Sequence, residues 1–163
     1  MISTSIKRIF AVASAVVLML ALASCMPAND AANDAQKANR AYMSQINETM
    51  NSLASSLGSF VDAVSRDDLV NMRAQADNAY KQLDKLDAIE APAGLGDIKD
   101  CYVEGSAKLR EALDGYITLY TEAKSSESFD WSKFDKRMAD IQSLYDQGIA
   151  SLEKGDAVAA AQG

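Results

Sequence analysis

The chain has 163 residues, with 16 Lys and Arg against 23 Asp and Glu, a net charge of −7 and no histidine. That acidity excludes a nucleic-acid binder, which needs clustered cations to displace counterions, and it weakens any electrostatic hold on anionic lipid. The lack of histidine removes the commonest general base, the usual catalytic triad and the dominant zinc and haem ligand.

The first element is a leader. A basic pair, Lys7-Arg8, precedes an apolar run from Ile9 to Ala21 and then the small residues of Leu22-Ala23-Ser24-Cys25. A charged start, a short apolar segment and small residues before a processing point make a secretory signal. The run is shorter than the ~20 residues that span a hydrocarbon core. Leu22-Ala23-Ser24-Cys25 resembles the lipobox of bacterial lipoprotein precursors. The resemblance implies cleavage between Ser24 and Cys25, which makes residues 1–24 a removable signal. It also implies lipid on the Cys25 thiol and an acyl chain on the new amino terminus. Two or more chains hold a protein stably on a membrane. The expected location is therefore the extracytoplasmic side of a cell membrane or outer membrane. Met26 follows the cysteine where Asp would resemble an inner-membrane retention signal, which favours the outer membrane in a host that has one. Loss of Lys7 and Arg8 leaves the mature chain two charges more acidic.

Residues 25–33 read as the lipidated cysteine and a short polar tether, at most about 25 Å long. A helical domain is expected over 34–156. In its first segment, Tyr42, Ile46, Met50, Leu53, Leu57, Phe60 and Val64 recur three or four apart, the spacing of one helix face. That helix is expected from about residue 31 to 65, with only Ala35, Ala38 and Ala41 continuing the stripe upstream. Ser65-Arg66-Asp67-Asp68 breaks it, with Ser65 as the expected cap of the next helix and Asp68 in its first turn. Leu69, Met72, Ala76, Ala79, Leu83 and Leu86 form the second stripe, ended by Ala91-Pro92-Ala93-Gly94. Asp97 is the expected cap of the third, which carries Ile98, Tyr102, Gly105, Leu109, Tyr116 and Tyr120. Gly105 lies on that stripe and should let a neighbouring helix approach closely; Gly115 lies beside it with no evident reason. After a Ser-rich loop at 125–128, Ser132 with Asp135 resembles a capping box. Phe134, Met138, Ile141, Tyr145, Ile149 and Leu152 form the fourth stripe, which Gly155 should stop. Residues 157–163 read as a weakly specified tail. The expected fold is all-α, an up-down-up-down four-helix bundle, monomeric because its four stripes can cover one another.

Candidate sites are few. Cys101 is the only thiol besides Cys25 and reads as a small buried apolar residue. Met43 and Met50 lie on the first helix and read as packing rather than as soft copper ligands. Asp84 and Asp87 beside Lys81 and Lys85, and Glu111 and Asp114 beside Lys108 and Arg110, read as solvated faces with charge pairing along each helix. Tyr102, Tyr116 and Tyr120 share one face; they are a candidate floor for an aromatic ligand groove, and core packing with hydroxyls reaching the rim explains them equally well. Phe129 and Trp131, in the connection before the last helix, read either as a lid over the end of the bundle, the commoner role of a loop-borne aromatic pair, or as a candidate partner contact. No nucleophile–base pair, phosphate-binding loop, metal-ligand set or cofactor motif appears, so neither a catalytic activity nor a cofactor nor a metal is expected. The expectation is a lipid-anchored, extracytoplasmic, non-enzymatic bundle. It would act as an interaction, scaffold or accessory protein of the cell envelope with a protein partner. The alternative is a small-molecule or metal-binding bundle lipoprotein.

Overall fold

The computed structural model describes residues 30–126 and 129–162, and the lipobox with its signal lies outside them. Four helices follow in order: α1 (Asp30–Ser65), α2 (Leu69–Ala88), α3 (Gly96–Ser125) and α4 (Phe134–Gln162), with a single 3₁₀ turn (Trp131–Lys133) before α4. No strand occurs among the described residues. The four apolar stripes meet in one core. Ile46, Leu53 and Phe60 of α1, Met72 and Leu83 of α2, Leu109 and Leu113 of α3, and Ile141 and Leu152 of α4 all belong to it.

Cross-helix partners fix the directions. From α2 to α3 they run Arg73–Thr121, Tyr80–Asp114 and Asp84–Arg110. From α3 to α4 they run Tyr102–Asp156, Tyr116–Gln142 and Glu122–Arg137. In each pair of helices one number rises as the other falls, so neighbours are antiparallel. The turn between α1 and α2 reverses the chain within three residues, through Asp68 N donating to Ala63 O at 3.0 Å. The architecture is an up-down-up-down all-α bundle.

The helix ends differ from the sequence expectation in ways that local chemistry explains. Asp68, not Ser65, caps α2: its carboxylate accepts from Asn71 N at 3.1 Å. Ser65 is the last residue of α1, and its hydroxyl donates to Asp62 O. Between them Asp67 takes a left-handed conformation (φ 54°), the role glycine usually plays after a helix. Its carbonyl is bound by the Lys124 ammonium of α3. Asp97 does not cap α3; Leu95 precedes the helix without a side-chain bond, and Asp97 sits in the first turn, where a carboxylate suits the helix dipole. Ser132 is not a cap either. Asp130 caps the 3₁₀ turn by accepting from Ser132 N at 3.1 Å and from Ser132 Oγ at 2.6 Å.

Two boundaries move outward. Residues 30–33 belong to α1 rather than to a tether. The segment beyond Gly155 is helix as far as Gln162 rather than tail. Gly155 does not stop α4 because it serves packing: a Cβ there would lie 2.9 Å from the Tyr102 ring. The same holds along the whole α3–α4 seam. A Cβ at Gly105 would fall 2.6 Å from Leu152, one at Gly148 2.8 Å from Leu109, and one at Gly115 2.9 Å from Ile141. Gly105 therefore admits the neighbouring helix as its position on the stripe implies, and Gly115 has the reason that its sequence context lacks.

Candidate functional site

Of the two readings of the three tyrosines, groove floor or core packing, the structure has the second. Tyr102 and Tyr116 are 1 % exposed and Tyr120 is 4 %. Tyr102 Oη donates to Asp156 Oδ1 at 2.6 Å, and Tyr116 Oη to Gln142 Oε1 at 2.7 Å, so both hydroxyls tie α3 to α4. Tyr120 packs edge-on against Phe134, ring centroids 6.2 Å apart, and its hydroxyl is buried without a hydrogen-bond partner. Burial pushes all three phenols up, Tyr120 to about 12. Burial likewise raises the Asp156 carboxyl, while the Tyr102 hydroxyl pulls it back down. A polar groove on the α1–α2 seam is lined by Gln45, Glu48, Thr49 and Lys85, and a shallow one on α4 passes over Ala139, Ser143 and Ala150. Neither touches the three tyrosines.

Phe129 and Trp131 stand differently. The connection from α3 turns through Phe129 N bonding Ser126 O and Trp131 N bonding Phe129 O, which stacks the aromatic side chains on the end of the bundle. Phe129 meets Trp131 edge-on with centroids 4.9 Å apart, and Trp131 meets Phe134 at 5.6 Å. Phe134 belongs to the core, so the cluster runs from the core outward to a Trp131 that is 52 % exposed. A large apolar ring held in a fixed place and half in water is the geometry of a contact point. Val70, 79 % exposed at the start of α2, lies at this same end, since Lys124 of α3 binds the carbonyl of Asp67 in the α1–α2 turn. Its exposure was not evident from sequence, because Val70 neighbours Leu69 on a stripe and only the phase of the helix separates them. Val103 on α3 is a third exposed apolar side chain, at 41 %.

Three of the four acidic side chains, Asp84, Asp87 and Asp114, bind across to a neighbouring helix, and Glu111 stays on an exposed face. Arg110 forks to Asp84 at 2.8 Å and Asp87 at 3.1 Å, and Tyr80 donates to Asp114 at 2.5 Å. Lys99 turns inward to the end of α2, donating to the carbonyls of Asp87 and Ile89 at 3.0 and 2.6 Å. These residues are structural clamps on α2 and α3. Cys101 is buried, and Met43 and Met50 pack against the edge of the core. Among the described residues no three His, Cys, Asp or Glu side chains group to hold a metal ion, and no helix is long and apolar enough to cross a membrane. Ser24 and Cys25 lie outside the described residues.

No protein-family model, curated protein or solved structure matches the chain.

Proposed function

We propose that the chain is a lipid-anchored, extracytoplasmic interaction protein of the cell envelope, without enzymatic activity, that presents an aromatic contact point to a protein partner. One observation carries the reading. The half-exposed Trp131, packed on Phe129 and Phe134, sits at the end of the bundle where the α1–α2 turn lies, opposite the start of α1. A chain rooted by lipid at Cys25 would hold that end away from its membrane. The interior supports the same reading. The tyrosines that were candidates for a ligand groove are packed in the core, and two of their hydroxyls are bound to α4. Asp84 and Asp87 accept from Arg110 and Asp114 accepts from Tyr80, so these three carboxylates join α2 to α3 instead of facing each other across a cleft.

The test is crosslinking in intact cells followed by recovery of the protein. Trp131→Ala should lose the crosslinked partner while melting within a few degrees of the parent, since a half-exposed ring at a bundle end adds little to stability. An undiminished crosslink would reject the contact point. The same recovery from Cys25→Ala cells tests the anchor: the protein should leave the membrane fraction.

A further inference from the structure

α1 differs from its neighbours at its beginning. α3 buries Ile98 and α4 buries Phe134 within the first turn. In α1 the described side chains from Asn33 to Ala41 are exposed, apart from a half-buried Asn39, and Tyr42 is the first to enter the core. From Asn33 to Ala41 the helix therefore runs for about two and a half turns outside the core, with only Asn39 partly covered. Its composition suits that state. Ala35, Ala38 and Ala41 are the strongest helix formers and present no apolar bulk. Lys37 pairs with Asp34 at 3.7 Å. Continuity with the packed part of α1 removes the cost of nucleating a helix, which is what defeats short isolated ones. With Asp30, Asp34, Lys37 and Arg40 in balance and no large apolar side chain, the segment has nothing to insert into a bilayer and no net charge to draw it down.

We propose that residues 30–41 are a rigid helical spacer that sets the height of the bundle above the lipid surface. The proposal rests on the anchored reading and goes beyond it: a polar tether would leave height and direction free, whereas this segment fixes both. Twelve residues at 1.5 Å each contribute about 18 Å of standoff.

Two measurements on the lipid-modified protein in a bilayer test it. Spin labels at Asn33→Cys and Ser59→Cys should give one narrow distance near 39 Å, the rise of 26 helical residues at about 1.5 Å each. The combined variant Ala35→Gly, Ala38→Gly, Ala41→Gly should broaden and shorten that distance without changing the melting temperature. A broad distance in the parent, or none of that change in the glycine variant, overturns the spacer. Deletion of residues 33–39 should lower the bundle by about 10 Å in neutron reflectometry at the same rise per residue, and an unchanged height overturns it as well. A protein that never attaches to the bilayer overturns the anchored reading, and the spacer role with it, even where the narrow distance shows an intact rod.

Discussion

The two hairpins of this bundle are built on opposite principles. In α3–α4, Gly105, Gly115, Gly148 and Gly155 bring the helices so close that an added methyl at any of them would strike an atom of the other helix at 2.6 to 2.9 Å. Hydrogen bonds then fasten the pair, from Tyr102 to Asp156, from Tyr116 to Gln142 and from Arg137 to Glu122. In α1–α2 the buried face mixes large side chains with Ala63, Ala76 and Ala79, and no glycine lies on it. Leu53, Leu57 and Phe60 share the core with Met72, Leu83 and Leu86, and Gly58 lies on the exposed face of α1 with nothing within 4 Å of an added methyl. Among the described residues no side-chain hydrogen bond or ion pair joins α1 itself to another helix; those of α1 stay within it. One hairpin is specified by the absence of atoms and by polar ties, the other by apolar volume. Similar stripes in sequence thus conceal interfaces that fail in different ways.

The largest expected effect comes from alkaline pH, and it sharpens the contrast. All six tyrosines have phenols held above the ordinary value of 10.0, chiefly by burial, and four of them lie on α3 and α4. A folded pKa above the unfolded one gives stability that is complete below pH 10 and is lost as pH rises through the folded values, about 12 for Tyr120 and Tyr145. Ultraviolet titration should show little ionisation near pH 10, then tyrosinate appearing together with loss of helical signal. Independent titration at 10 with the helices intact would mean that α3–α4 does not bury its phenols.

Leu53→Asp should come next. Leu53 is 1 % exposed in the part of the core that α1 supplies, and an unpaired charge there should cost more than about 4 kcal/mol. Calorimetry showing a melting point near that of the parent would place the α1 stripe in water. The smallest effects form the sharpest pair. Gly148→Ala should destabilise by about 1–3 kcal/mol through overpacking against Leu109. Gly58→Ala should stabilise by up to about 1 kcal/mol, because alanine is the better helix former and nothing lies within 4 Å of the new methyl. No loss from Gly148→Ala in chemical denaturation would mean that α4 does not press on Leu109 there, and destabilisation by Gly58→Ala would mean that the exposed face of α1 is not open at that position.

What was legible in the sequence follows the range of the interaction. The stripes depend on spacing within one helix, so Tyr42, Leu53, Leu83 and Leu109 could be placed in the core from periodicity alone. Caps depend on one side chain reaching one backbone group, and short runs of candidates compete. Ser65 and Asp68 are both sound capping residues, and the left-handed Asp67 between them decides for the second. Ser132 lost to Asp130 because a 3₁₀ turn precedes the helix. Partners on other helices were hidden. Arg110 looked like a neighbour of Asp114 but pairs with Asp84 and Asp87, because the register of α2 on α3 sets the pairing. Gly155 carried the signal of a helix stop and instead makes room for the Tyr102 ring. The exposed Trp131 was foreseen from its loop position, whereas Val70 depended on a helical phase that the stripe leaves open.

The proposed membrane anchor depends on the chemistry of Cys25. Mass spectrometry of the N-terminal peptide of protein recovered from its native membrane tests this directly. The account predicts a chain that starts at Cys25 and carries diacylglyceryl on its sulfur. A free Cys25 thiol, or a chain that still begins at Met1, would contradict it.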